Sequence, residues 1–226
     1  MKKLVILFVM LIGFFSLTVI KAQTSSGTIL IGVSSGFKVA GEFSAIGLGS
    51  DLMSMGFSSV KTKSNAPGFT EPEPDKTTSL NLMPKLGVFV VNNLAVGLDV
   101  IVAYNQVSYG ASDDKTKITL LMGGPFVRYY IPGGKVLPFL EGNATFGSSN
   151  LKDEYTGGSN TSKYALSSFG GGLGIAVPIG EKVTFDVMAG YTSLTVKAKE
   201  NNPNDERSVM GSFGIRLGFD LLLGSK

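Results

Sequence analysis

Beyond about residue 27 the chain is a succession of runs of roughly ten residues whose polarity alternates with period two. In Leu94–Tyr104 the even positions are Leu94, Val96, Leu98, Val100, Val102 and Tyr104, and the odd ones are Ala95, Gly97, Asp99, Ile101 and Ala103. Val209, Gly211, Phe213, Ile215, Leu217, Phe219 and Leu221 alternate in the same way with Met210, Ser212, Gly214, Arg216, Gly218 and Asp220. Helical spacing would mix the two sets on every face, so these runs are strands. One face of each is apolar and the other small or ionised. A chain of such strands crosses lipid only by closing on itself, because an open sheet edge would leave backbone groups unpaired in hydrocarbon.

The connections alternate too. Val91-Asn-Asn93, Ile131-Pro-Gly-Gly134 and Ile179-Gly-Glu-Lys182 are tight turns. Residues 39–78, 107–116, 148–162 and 198–207 read as long polar connections. Short turns on one rim and long loops on the other are the layout of an outer-membrane barrel. The strands fall near 28–38, 79–90, 94–106, 117–131, 135–147, 163–179, 183–197 and 208–223. The expected fold is therefore all-β, an eight-stranded antiparallel up-and-down transmembrane β-barrel. Ten strands is the alternative, because Phe43–Leu48 and Met55–Lys63 have strand character, although Glu71-Pro-Glu-Pro-Asp75 is irregular.

Residues 1–22 have the order of a secretory signal, with Lys2-Lys3, an apolar run from Leu4 to Ile20, and Lys21-Ala22. Residues 23–226 are then a single barrel domain. The net charge of +3 resides in Lys2, Lys3 and Lys21, so the rest is neutral and has no electrostatic motive for nucleic acid. The chain contains no cysteine and no histidine. Thiol chemistry and the usual general base are excluded, and nothing points to a cofactor or a metal.

Leu82-Met-Pro-Lys-Leu-Gly-Val-Phe-Val-Val-Asn-Asn-Leu-Ala-Val-Gly97 resembles the strand, turn and strand of small outer-membrane β-barrel proteins from Bacteroidetes. Pro125-Phe-Val-Arg-Tyr-Tyr130, Phe139-Leu-Glu-Gly142 and Gly170-Gly-Gly-Leu-Gly174 are similar to later segments of that family. The resemblance spans most of residues 27–223 and implies an OmpA/OmpX-like eight-stranded barrel without catalytic residues. The terminal aromatic of such barrels has no counterpart at Lys226; Phe219 or Leu223 takes its place.

On the inferred inner face sit Lys85, Asp99, Arg128, Glu141, Asp186, Arg216 and Asp220. Uncompensated, each ion would cost on the order of several kcal/mol, so a lumenal salt-bridge network is expected. Tyr104, Phe146 and Tyr191 lie far from the short turns on the outer face, and Tyr129 and Phe185 close to them, as two aromatic girdles would. Gly170, Gly172 and Gly174 share a face and make room for larger inward side chains opposite. The carboxylates Asp113-Asp114, Asp153-Glu154, Glu71 and Glu73 lack the spacing of a calcium loop. The expected role is structural or one of surface interaction, non-catalytic, in the bacterial outer membrane. A narrow passive pore and a secreted soluble barrel holding a lipophilic ligand are the alternatives. Expected partners are outer-membrane lipid, the outer-membrane assembly machinery and an extracellular partner held by the long loops. A monomer is expected.

Overall fold

The computed structural model describes residues 24–41, 56–60 and 73–224; the expected signal segment and most of 42–72 lie outside them. The strands are β1 (Ile29–Gly41), β2 (Gly56–Val60), β3 (Asp75–Val91), β4 (Leu94–Ser108), β5 (Lys115–Tyr130), β6 (Leu137–Tyr155), β7 (Gly158–Pro178), β8 (Val183–Ala198) and β9 (Arg207–Leu223). Each of β3–β9 pairs antiparallel with its sequence neighbour, and β1 pairs with both β9 and β3, which closes an eight-stranded barrel. Among the described residues, β1 and β3–β9 are each paired on both sides.

Closure is uneven at one seam. β1 pairs with β3 from Ile29 to Ser34 and then leaves it. There the Asn81 amide accepts from the Gly36 backbone N–H and donates to the Gly36 carbonyl, replacing a ladder pair. Beyond that point β2 takes the place beside β3, against Asp75–Ser79. Of the two extra segments considered from the sequence, 56–60 extends the wall; Phe43–Leu48 lies outside the described residues.

The register fixes the tilt. Followed partner by partner from Lys38, the path runs through Gly214, Gly190, Gly172, Glu141, Arg128, Ala95 and Phe89. It returns to β1 at Thr28, ten residues nearer the strand's start. With a rise of ~3.3 Å per residue and a strand spacing of ~4.8 Å, that stagger tilts the strands about 40° and sets a radius of about 8 Å. A level line round the wall therefore shifts by about 1.25 residues per strand.

One expected connection is strand instead. Residues 148–162 were expected to form a loop, but β6 and β7 pair without interruption from Leu137↔Ala176 to Tyr155↔Gly158. Only Thr156 and Gly157 turn, with Gly157 at a φ of 101° that favours glycine. The other loops are shorter than expected, 109–114 and 199–206. In the second, the Asn202 side chain accepts from the Glu206 N–H and donates to the Glu206 carbonyl, pinning the loop across its base.

Candidate functional site

Among the described residues, the lumen is where ionised side chains are forced together in burial, and alternation puts them there. Lys85, Asp99, Arg128, Glu141, Asp186 and Asp220 are all buried, and Arg216 is partly buried beside them. Their positions in the register place all seven within a slab about 10 Å deep. Glu141 is the hub: Lys85 pairs with it, Arg128 Nε donates to it at 2.6 Å and Arg216 Nη1 at 2.9 Å. Arg128 Nη1 is 2.5 Å from both Asp186 Oδ2 and Asp220 Oδ2, and donates to the Tyr130 hydroxyl at 2.9 Å. Asp99 lies 3.7 Å from Lys85 and accepts from the Asn143 amide at 3.0 Å. Thr184 donates to Asp186 at 2.8 Å. The Arg128 guanidinium also lies over the Phe139 ring and the Lys85 ammonium over Phe126.

Glycines make room for this cluster. A Cβ on Gly32 would stand 2.0 Å from the Asp220 carboxylate, and one on Gly174 would stand 2.2 Å from the Phe139 ring. The glycine run of β7 is thus the hollow that receives Phe139 and Met188.

The lumen is not charged throughout, as the face pattern of the sequence had implied. Leu30, Phe89, Ala95, Tyr130, Leu137 and Leu222 fill its short-turn end. Ile118, Leu120, Leu151, Leu166, Leu194 and Val196 belong to a second apolar cluster toward the loops. Asn105 donates to Ser79 at the level of that loop-side cluster, and Thr145 and Ser168 hydrogen-bond to each other nearer the ions. A cavity beside the ions, lined by Lys85, Arg128, Asp186, Arg216 and Asp220, holds about 10 Å³, at the lower limit for one water.

The outer wall carries the opposite chemistry. Leu98 is 60% exposed, and Val100, Val102, Leu121, Leu140, Leu173 and Ile215 are exposed with it. Tyr104, Tyr129, Phe146, Phe185 and Tyr191 all point outward. Phe146, Phe169, Tyr191 and Phe213 sit on four consecutive strands, offset by two, two and zero residues toward the short turns from one strand to the next. The tilt requires about 1.25 per strand for a level line, so these four form one belt, with Tyr104 continuing it on β4. Phe146 and Phe169 meet edge-on, with ring centroids 6.0 Å apart. Tyr129 and Phe185 share a second level nearer the short turns, where Phe219 packs 5.2 Å from Phe185. Phe169, Phe213 and Phe219 had not been assigned to a girdle from the sequence, although their outward parity was readable there.

A barrel whose wall is apolar and whose ions point inward is soluble in a bilayer and not in water, which removes the secreted lipid-carrier alternative. Single-chain closed antiparallel barrels with this wall are the outer-membrane class.

No family model and no curated protein sequence matches the chain. Among solved structures it is similar to the outer membrane protein OprG from Pseudomonas aeruginosa, at 14% identity and a TM-score of 0.47, covering 92% of this chain and 100% of that one. Neisserial surface protein A gives 14% and 0.43, with coverage of 87% and 97%. The outer membrane protease OmpT from Escherichia coli gives 9% and 0.42, with coverage of 87% and 94%. At these values the likeness carries no functional inference, and the membrane assignment rests on the wall and lumen themselves.

Proposed function

We propose that this outer-membrane β-barrel is a closed, non-catalytic scaffold that holds a rigid surface hairpin, made of the loop-side ends of β6 and β7, outside the cell. The observation that carries the reading is the filled lumen. Two apolar clusters enclose the seven ions, and the cavity beside them holds only about 10 Å³. An ion or sugar passing through would have to displace both clusters and break the ion pairs centred on Glu141 and Arg128. Catalysis has little to work with: the sequence has no histidine or cysteine, and the lumenal carboxylates are spent on the guanidinium and ammonium groups beside them.

The presenting element is the hairpin. β7 pairs with β8 only from Tyr164 onward, and the Lys163 carbonyl accepts from the Lys199 N–H, so residues 158–162 stand beyond that neighbour with β6 alone. Continuous pairing makes this a preorganised surface, the kind that binds at low ordering cost.

Planar-bilayer recording on the full chain tests the closed state. The expectation is no stepwise conductance and no sugar-dependent swelling of liposomes. Reproducible single-channel steps that disappear on neutralising Arg128 or Glu141 would replace the scaffold reading with the narrow-pore one. For the hairpin, cells carrying the full chain are compared with cells carrying one whose residues 151–162 are replaced by a short turn. Resistance of the envelope to detergent should survive the replacement, whereas any surface attachment should not.

A further inference from the structure

Above the aromatic belt the outer wall bears a second ring, made of cations. Lys152 is six residues loopward of Phe146, Lys163 six loopward of Phe169, Lys197 six loopward of Tyr191, and Arg207 six loopward of Phe213. An even offset keeps each pair on one face of its strand. Because the aromatics are level, the cations are level too, about 15 Å higher at this tilt. Lys117 joins them as the register partner of Lys152. Between the two rings the outward side chains are mostly hydroxyls and amides: Thr119, Ser148, Asn150, Ser167, Ser193 and Thr195. Below the belt, the outward positions of the described strands carry no charged residue at all.

Part of this ring is concave. Tyr104, Lys117, Thr119, Asn150, Lys152 and Lys163 line a depression of about 340 Å³ on the outside of β4–β7, a volume in the range of small-ligand sites. Its three ammonium groups outnumber the two carboxylates beside them, which leaves the depression net cationic. Glu154 accepts from Lys117 at 2.6 Å and lies 2.9 Å from Lys152, and Glu200 is 4.0 Å from Lys163. Lys152 and Lys163 keep about half of their side chains open to the surroundings.

We propose that this depression binds the phosphorylated saccharide headgroup of a glycolipid in the outer leaflet, with Lys117, Lys152 and Lys163 on a phosphate and Tyr104, Thr119 and Asn150 against the sugar. The height selects the ligand. A site opening sideways from the wall, one belt above the apolar zone, faces the headgroup of a neighbouring lipid and not the bulk medium. Three ammonium groups match a phosphate as point charges, and the hydroxyl and amide side chains match a sugar edge. The inference rests on the outer-membrane reading with the long loops outward.

The test uses the full chain in phosphatidylcholine nanodiscs containing either bisphosphorylated lipid A or the same lipid dephosphorylated. Retained lipid is counted after exchange into detergent and gel filtration. The wild-type barrel should keep at least tenfold more of the bisphosphorylated lipid. The K117Q/K152Q/K163Q variant should lose that preference, K117R/K152R/K163R should keep it, and K135Q/K182Q, on the short-turn rim, should behave as wild type. Equal retention of the two lipids by the wild type would overturn the proposal, a result that needs no variant to fold. Failure of the wild type to enter nanodiscs would instead overturn the membrane reading beneath it.

Discussion

Replacing Glu141 by Gln removes one charge and almost no volume, so it isolates what the ion cluster contributes. Glu141 receives Lys85, Arg128 Nε and Arg216 Nη1. A charge-assisted hydrogen bond contributes about 1.5–3 kcal/mol net, so three of them set an upper range of about 4.5–9 kcal/mol. The glutamine carbonyl still accepts, which recovers part of this, while its NH2 turns a donor toward cations that need an acceptor. Breaking a buried pair on one side only costs about 3–5 kcal/mol, and the expected loss for E141Q falls in that interval. The assay is equilibrium urea unfolding in phosphatidylcholine vesicles, followed by far-ultraviolet circular dichroism, since the chain has no tryptophan. Conductance is recorded alongside. The apolar clusters on either side of the ions still close the lumen in the variant, so it should remain silent. A loss below about 1 kcal/mol would mean the ions are solvated and the lumen wet, and the argument from a filled barrel would fail with it.

The remaining expectations concern other parts of the barrel. G174A places a Cβ against the Phe139 ring and should cost about 1–3 kcal/mol as overpacking, much of it returned by adding F139L; urea midpoints of the four variants decide. L98K puts an ammonium near the middle of the apolar band and should destabilise the barrel by about 2–4 kcal/mol in bilayers; no effect there would contradict a lipid-facing Leu98. Surface proteolysis of intact cells should cut within 109–114 and 199–206, and leave 148–155 and 158–162 whole; cleavage inside either arm would disprove the paired hairpin. Hydrogen bonding from Lys117 and then Lys152 depresses the Glu154 carboxyl to about 2 from an ordinary 4.5. A depressed carboxylate stabilises fully above its unfolded value and loses that as pH falls through its folded one. The contribution of this pair should therefore be whole above about pH 4.5 and fade toward pH 2, and a carboxyl-carbon titration by NMR with a midpoint near 4.5 would refute the pairing.

The barrel and its lumenal ions were legible because one rule governs them: period-two alternation with apolar residues outward, which placed Leu98, Phe213, Asp99 and Arg216 on the faces where they stand. The hairpin was not, and β6 shows why. From Leu140 to Phe146 its large apolar side chains fall on even, outward positions; farther on, Leu151 is inward and Asn150 and Lys152 are outward. A run whose hydrophobic parity slips, and whose tip is Glu154-Tyr-Thr-Gly-Gly158, looks aperiodic and therefore like a loop. The side-chain lattice of the aromatic belt was half visible, since Phe169 and Phe213 share the parity of Tyr191 and Phe146 but only the register shows that the tilt levels them. The Asn81 bridge to Gly36 has no local signal at all, because it depends on where β1 departs from β3.

The parity slip recurs, and its position has a physical meaning. On β5, Val127 and Tyr129 are outward while Ile118, Leu120 and Met122 are inward; on β7, Leu173 and Phe169 are outward and Leu166 inward; on β8, Phe185 and Tyr191 are outward and Leu194 and Val196 inward; on β9, Phe219 and Phe213 are outward and Met210 inward. On β6–β8 the change comes just loopward of the belt aromatic; on β9 Val209 stays outward. The backbone does not slip there, since the pairings run through it without a register shift. What changes is the solvent outside the wall. Below the belt the surroundings are hydrocarbon, so the outer face must be apolar and the lumen can take ions if they pair. Above it the surroundings are polar, so apolar side chains gain by turning inward and the barrel becomes an ordinary water-soluble one with a greasy core. The inner apolar cluster near the loops and the cationic outer ring are then two consequences of a single boundary, which the sequence marks at Phe146, Phe169, Tyr191 and Phe213.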